Sequence, residues 1–298
     1  MKSVITGGAG FIGSHLAEAL VKLGHKVVII DNLSTGNLKN LKSVKNKVKL
    51  VRLDLSKKNN LKKYLKNVDY IFHLAGLSKA PRSIEIPYKY YQNNLLSTLN
   101  ILNSIKNTKL KKFIFTASSS CYGNPKQLPT SEKAKIQTLS PYALSKWMSE
   151  QMIIQYAKVY SFSAVSLRLF NVYGPRVKVS DAYSSVISIF LKQKFKNKPL
   201  TIVGDGKQSR SFVHVFDVVN AMIKSAKSNV SNEIFNVGSQ NSIQINKIAQ
   251  IFKTKKKYIP KRMGDPRDSH ADIRKIKKLL NWKPKISINE GINKLLKK

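Results

Sequence analysis

The stretch Lys2-Ser3-Val4-Ile5-Thr6-Gly7-Gly8-Ala9-Gly10-Phe11-Ile12-Gly13 decides the fold. A short β-prone run, Ser3–Thr6, breaks into glycines. It then enters Gly13–Gly24, where Leu16, Leu20 and Leu23 recur at helical spacing and Gly24 is placed to cap the helix. In Gly8-Ala9-Gly10-Phe11-Ile12-Gly13 one glycine permits a tight turn and another lets a pyrophosphate approach the backbone. Gly13 lets helix and strand pack closely. Glycine loops are common, so the spacing by itself is weak. Its position between a strand and an amphipathic helix makes it a dinucleotide fingerprint. The helix start then offers free N–H groups to the phosphates. Asp31 ends the next strand candidate, where a carboxylate would hold ribose hydroxyls. No Arg lies near Asp31 to receive a 2′-phosphate, which favours NAD over NADP.

Outward from this point, apolar strands alternate with helical stretches. The strand candidates are Ser3–Thr6, Lys26–Asp31, Val48–Asp54, Asp69–Ala75, Lys112–Ala117, Ala164–Phe170 and Glu233–Val237. Asn94–Lys106 and Tyr142–Tyr160 read as crossover helices. Repeated β-α-β order predicts an α/β fold: a Rossmann-type, doubly wound parallel sheet with helices on both faces. Beyond about residue 172 the alternation loosens. The expected division is an NAD-binding domain of residues 1–171, rejoined by 212–238, and a smaller interleaved C-terminal substrate domain of 172–211 and 239–298.

The 298 residues carry 54 Lys+Arg against 15 Asp+Glu, a formal charge of +39, with 42% hydrophobic residues. That is enough apolar material for a core, so the charge does not mark a disordered basic tail. The basic residues are 46 Lys, spread from end to end, and only 8 Arg. Base-reading proteins lean on Arg, so the pattern reads as a solvated surface and predicts no specific nucleic-acid partner. No apolar run is long enough to span a bilayer, so no membrane partner is expected. The N-terminus reaches its glycines too early for a signal peptide, and the single Cys121 excludes a disulfide framework and a Cys-based zinc site. The expected compartment is cytoplasmic, and no metal is expected.

A Tyr-x-x-x-Lys pair suggests a phenolate base assisted by an ammonium. With 12 Tyr and 46 Lys in 298 residues, chance alone gives about two such spacings, and there are two: Tyr122/Lys126 and Tyr142/Lys146. Gly123 and Pro125 argue against a helix in the first. The second follows Ser140-Pro141, an N-cap and first-turn proline, so Tyr142 and Lys146 share a helical face. A base working near neutrality needs its phenol lowered from about 10, which Lys146 and a nicotinamide cation are expected to do. Upstream, Ala117-Ser118-Ser119-Ser120-Cys121-Tyr122-Gly123 places hydroxyls at a strand's end.

Together these residues resemble the extended short-chain dehydrogenase/reductase family, in particular its nucleotide-sugar epimerases and dehydratases. The resemblance runs nearly end to end. It takes in Thr6–Gly13, Asp31-Asn32-Leu33-Ser34-Thr35-Gly36, His73-Leu74-Ala75-Gly76 and Ser140-Pro141-Tyr142-Ala143-Leu144-Ser145-Lys146. It continues through Arg168-Leu169-Phe170-Asn171-Val172-Tyr173-Gly174-Pro175-Arg176, Gly204-Asp205-Gly206, Arg210-Ser211-Phe212-Val213-His214-Val215 and Phe235-Asn236-Val237-Gly238. It implies Ser118, Tyr142 and Lys146 as the catalytic set. As cofactor contacts it implies Gly7, Gly10, Phe11, Ile12, Gly13, Asp31, Asn32, Ser34, Thr35, Gly36, Asp54, Leu55, Leu74, Ala75 and Asn94, besides Tyr142 and Lys146. For the substrate it implies Ser118, Tyr142, Asn171, Arg210, Arg262, Asp265 and Ser269, with Arg for pyrophosphate and Asp for the nucleotide's ribose.

Within the family, the 4,6-dehydratases carry an Asp-Glu pair after the hydroxyl residue, and the decarboxylases carry a Glu in the second of those positions. Ser119-Ser120 stand there in this chain. The resemblance therefore points to 4-epimerisation of a UDP-hexose, glucose/galactose or their N-acetyl forms. A uronic-acid 4-epimerase or another nucleotide-sugar oxidoreductase is the nearer alternative. A non-catalytic dinucleotide sensor or nucleic-acid binder is the distant one. Two departures stand out. Ser211 replaces the family's usual Asp, where a local structural effect is expected. Ser269 falls where hexose-only epimerases often have a large Tyr, which would leave room for an N-acetyl group. Asn94–Lys106 and Tyr142–Tyr160 resemble the helix pair that joins subunits in family homodimers.

Overall fold

The computed structural model describes residues 1–57, 60–106, 108–177, 185–260 and 267–297. Its strands are β1 (Lys2–Thr6), β2 (Lys26–Asp31), β3 (Val48–Arg52), β4 (Tyr70–His73), β5 (Lys112–Ser118), β6 (Ala164–Leu169), β7 (Asn171–Tyr173), β8 (Leu200–Val203), β9 (Ser209–His214), β10 (Glu233–Val237), β11 (Ser242–Gln244), β12 (Lys256–Ile259) and β13 (Asp268–Ser269). Seven form one sheet in the order β10-β6-β5-β4-β1-β2-β3. All its pairings are parallel. This is the doubly wound Rossmann-type sheet that the sequence predicts.

Alternation along the strands fills both faces, because successive side chains point to opposite sides. Ile5, Ile29, Phe72, Ile114 and Phe235 pack on one face, under the helices Phe11–Lys22 and Val215–Lys227. Val4, Ile30, Ile71, Phe113 and Phe115 pack on the other, under Ser97–Ile105 and Pro141–Val159. A third cluster, including Phe190, Leu200, Ile202, Ile248 and Phe252, holds together the elements of the chain's last third. There β9 pairs with β11, β13 and β7, and β12 pairs with β8.

Three segments differ from expectation. The third strand stops at Arg52, because Asp54 turns its carboxylate to the Ser56 N–H (3.0 Å) and hydroxyl (2.7 Å), closing a turn. The fourth strand spans only Tyr70–His73. The helix expected from Asn94 begins as a π-turn over Tyr91–Leu96 before Ser97–Ile105 becomes α-helical. Within this stretch the Asn94 carbonyl accepts from the Thr98 (2.6 Å) and Ser149 (3.2 Å) hydroxyls.

Candidate active site

Between β1 and β4 the strand order reverses, and a cleft of about 640 Å³ opens there, beyond the C-terminal ends of the strands. The loop after β1 forms its floor. Gly7 has φ +70, and a Cβ on it would lie 2.8 Å from the Ala75 nitrogen. A Cβ on Gly13 would lie 2.8 Å from the Gly8 Cα and closer still to the Gly7 carbonyl. The helix Phe11–Lys22 starts at Gly10 with no side-chain cap, so its first N–H groups remain for a ligand where Phe11, Ile12 and Gly13 line the cleft. The Asp31 carboxylate accepts from the Ala9 N–H (2.9 Å) and the Leu33 N–H (2.8 Å), tying the glycine loop to the end of β2. This cradle, which side chains would fill, fits a dinucleotide.

The opposite wall carries the hydroxyl, the phenol and the ammonium. Ser118 ends β5. Tyr142 and Lys146 stand on the first turns of Pro141–Val159, whose N-cap Ser140 accepts from the Ala143 N–H at 3.2 Å. The Ser118 oxygen accepts from both the Ser120 N–H (3.2 Å) and the Ser120 hydroxyl (2.8 Å). Its own proton is left for the Tyr142 phenol, with which its side chain hydrogen-bonds. Tyr142 is fixed by its edge against the Tyr90 ring, centroids 6.2 Å apart, and by its N–H donating to the Ser83 hydroxyl at 3.0 Å. Lys146 is buried, with its ammonium 4.2 Å from the centre of the Phe115 ring.

Burial governs the charges of this wall in the protein alone. Burial raises the Tyr142 phenol above its ordinary value, and the Ser118 hydrogen bond only partly opposes this. Burial also pulls Lys146 down to about 7, against the upward influence of Glu150. Both shifts have one main cause: a lone charge is costly in this wall.

Beneath them lies a chain of hydrogen bonds that sequence reading missed. His73, held neutral by burial and then by Lys146 with its pKa down to about 3, bonds the Thr6 hydroxyl (2.7 Å) and the Thr98 hydroxyl (2.9 Å). Because Thr98 donates to the Asn94 carbonyl, it accepts from His73 Nε2–H. Thr6 then donates to Nδ1 and accepts from the Ala75 N–H at 3.2 Å. One buried chain thus joins β1, β4 and the helix Ser97–Ile105 under the cleft. Pairs of Thr and His at strand ends carry no sequence motif of their own.

Most of the expected residues meet in this cleft: Gly7, Gly10, Phe11, Ile12, Gly13, Asp31, Asn32, Ser34, Thr35, Asp54, Leu55, Leu74, Ala75, Ser118, Tyr142, Lys146, Asn171, Arg210 and Ser269 all line it. Two do not. Gly36 packs behind Asp31, where a Cβ would be 3.1 Å from the carboxylate. Asn94 is buried, accepting from the Leu77 N–H (2.7 Å) and donating to the Ser145 hydroxyl (2.9 Å), so it spaces the walls and does not line them. Arg262 and Asp265 lie outside the described residues. Arg210 and Ser269 are register partners in β9 and β13, and the Arg210 guanidinium donates to the Arg267 carbonyl at 2.8 Å. Ser211 is wholly buried and bridges to Ser239, donating to its carbonyl and accepting from its N–H, both at 2.8 Å. Ser78 and Lys79 also line the cleft, and no sequence spacing marks them. Tyr122, of the discarded pair, is buried and donates to the Asn236 side chain at 2.6 Å.

A model of the NAD dependent epimerase/dehydratase family matches residues 3–238. The solved UDP-N-acetylglucosamine 4-epimerase of Methanobrevibacter ruminantium M1, in complex with UDP-N-acetylmuramic acid, is 36% identical. Its TM-score is 0.94, over 99% of this chain and 97% of that one. The UDP-glucose 4-epimerase of Thermotoga maritima, with UDP-glucose, is 31% identical, with a TM-score of 0.95 over 100% and 98%. UDP-glucuronic acid decarboxylase 1 of Xenopus tropicalis is 32% identical over 98% of this chain and 70% of that one. With the glycine cradle and the Ser-Tyr-Lys wall facing one another, the chain belongs to the NAD-dependent epimerase/dehydratase family of extended short-chain dehydrogenases/reductases. Its cofactor is NAD.

Proposed function

We propose that the protein is a UDP-hexose 4-epimerase acting on the UDP-glucose/UDP-galactose pair and on the corresponding N-acetylhexosamines. The observation that carries this reading is the wall of Ser118, Tyr142 and Lys146 facing the glycine cradle, with Ser119-Ser120 beside it where elimination or decarboxylation would need carboxylates. Bound NAD supplies a hydride acceptor and donor, so that C4 of the sugar is oxidised and re-reduced. Tyr142 takes the C4 hydroxyl proton and later returns it. Ser118 directs its proton at the reacting oxygen, and Lys146 balances the phenolate. No further acid or base is required. In this reading residues 1–171 with 212–238 hold the cofactor, and 172–211 with 239–298 hold the nucleotide. Asn171, Arg210, Arg262 and Asp265 anchor the diphosphate and ribose while the sugar turns.

Ser269 sets the width of the sugar end. It is half-buried, lines the cleft and stands beside Arg210. Ser269→Tyr is expected to lower kcat/KM for the N-acetylated pair roughly 10–100-fold while the hexose pair changes by no more than about threefold. Equal losses for both pairs would remove Ser269 from the specificity argument. A UDP-uronic acid 4-epimerase is the second reading, favoured by Lys79, a cation in the cleft lining. Coupled assays of purified protein with UDP-glucose, UDP-N-acetylglucosamine and UDP-glucuronic acid distinguish the two. Turnover of the uronic acid alone would replace the first reading by the second.

Exposed apolar side chains on the helix pair, Leu96 (40% exposed), Met148 (37%) and Val159 (61%), support a homodimer formed through these helices. Among the described residues no helix is long and apolar enough to cross a membrane. A cytoplasmic location accords with that reading.

A further inference from the structure

Lys146 lies one helical turn before Glu150, and residues four apart share a face. Glu150 is only 1% exposed, on a helix face that also buries Ala143, Lys146 and Ile153. A carboxylate at such depth is costly unless it is paired and hydrogen-bonded. Here it is both. Arg168, on β6, grips it through Nη2 at 2.6 Å and Nε at 3.1 and 3.2 Å, and the Ser166 hydroxyl donates at 2.7 Å. The same guanidinium donates through Nη1 to the Tyr122 hydroxyl at 2.9 Å and the Glu132 carbonyl at 3.3 Å. One buried acid, which the Ser-Tyr-Lys chemistry does not use directly, is thus clamped from β6, and its clamp is itself held by Tyr122 and Glu132.

We propose that Glu150 is a positioning residue for the reaction: clamped by Arg168, its carboxylate is the buried counter-charge that keeps Lys146 an ammonium beside Tyr142. The inference rests on Tyr142 and Lys146 acting as base and charge partner. Other groups around Lys146 do not take this place. His73, from β4, is neutral, and the Cys121 thiol is pushed up to about 12 by burial, so neither supplies a negative charge. From the adjoining short helix Ala80–Glu85, Arg82 and Glu85 face solvent. Lys106, from Ser97–Ile105 side of the packing, sits over the Tyr156 and Tyr160 rings at the far end of the helix. Arg168 is cationic, and burial of its guanidinium is offset by the Glu150 contact. Without Glu150, Lys146 would be left in a dry wall without the charge that opposes its desolvation, and its proton would leave at lower pH.

The test uses the NAD-loaded protein and follows the ultraviolet absorbance of phenolate against pH, with Tyr142→Phe as the blank. In the NAD-loaded protein, where the nicotinamide cation is expected to bring the phenol toward neutrality, Glu150→Gln is expected to raise the Tyr142 titration midpoint by about one unit, because a neutral Lys146 no longer favours the phenolate. In the same variant kcat at neutral pH falls about tenfold while KM stays within about twofold, and Glu150→Asp recovers most of both. If an unpaired Arg168 prevents folding, Glu150→Gln with Arg168→Gln removes both charges and should shift the midpoint in the same direction. A midpoint that stays put in these variants, with kcat reduced evenly across pH, would make Glu150 a strut and overturn the proposal. A wild-type protein with no Tyr142-dependent titration would overturn the base assignment, and this inference with it.

Discussion

Tyr142→Phe lowers kcat for C4 epimerisation by about a thousandfold, within the 10²–10⁴ range that a positioned acid–base group supplies. The neighbouring Ser118, Cys121 and His73 are poorly suited to substitute. The Ser118 oxygen already accepts two hydrogen bonds from Ser120, Cys121 is held as a thiol by burial, and His73 is buried beneath the strand ends. The Phe ring keeps the edge contact with Tyr90 and loses only the hydrogen bond to Ser118, so stability should change by no more than about 1 kcal/mol. NAD affinity should hold within a few-fold, since the glycine cradle is untouched. Steady-state kinetics and a titration of cofactor binding check the pair of outcomes. Retained turnover would mean that another group takes the proton.

Gly13→Ala is the second large effect, and it acts through the cofactor. The added Cβ would meet the Gly8 Cα at 2.8 Å and the Gly7 carbonyl more closely, both of them backbone. Backbone cannot rotate away, and Gly7 is itself held by the N–H of Gly7 donating to Ile30 (2.9 Å) and the Gly10 N–H donating to the Gly7 carbonyl (3.1 Å). The helix must back away from the strand, at a cost of about 1–3 kcal/mol of stability. The first-turn N–H groups move off the phosphates with it, weakening NAD by roughly a hundredfold. Calorimetric binding and thermal melting measure the two losses, and an unchanged Kd would show that the phosphates do not rest on this turn.

Much of this was legible in the sequence. Period-two strands bounded by helical repeats are strong signals, and Lys26–Asp31 and Glu233–Val237 agree with expectation residue for residue. The ends were less so. Asp54 looked like strand because no local rule shows its side chain turning to Ser56. Asn94 looked like an ordinary helical start, whereas a π-turn forms there, with the Ser149 hydroxyl from another helix and the local Thr98 hydroxyl donating to the Asn94 carbonyl. The site's glycines and its Tyr142/Lys146 pair stood out because short-range geometry constrains them. Glu150 and Arg168 are 18 residues apart in the chain and meet only when a helix is laid on β6. The i,i+4 step from Lys146 was the one clue to that acid available in the sequence. The local charge balance is a different matter. The Tyr142 phenol is raised by burial, a quantity that no composition or spacing contains. The formal charge of +39 supplies a general attraction for anionic nucleotides at low salt, without placing any of them.

The most direct measurement follows a deuterium label at C4 of UDP-glucose, and of UDP-N-acetylglucosamine, through the purified NAD-loaded protein by nuclear magnetic resonance. A hydride taken from C4 and returned to the other face of the same carbon predicts interconversion of the C4 epimers, with the label retained at C4. It also predicts no net reduction of the NAD pool and no loss of carbon. Loss of the label to solvent, a dehydrated or decarboxylated product, or no interconversion of either sugar would contradict the account.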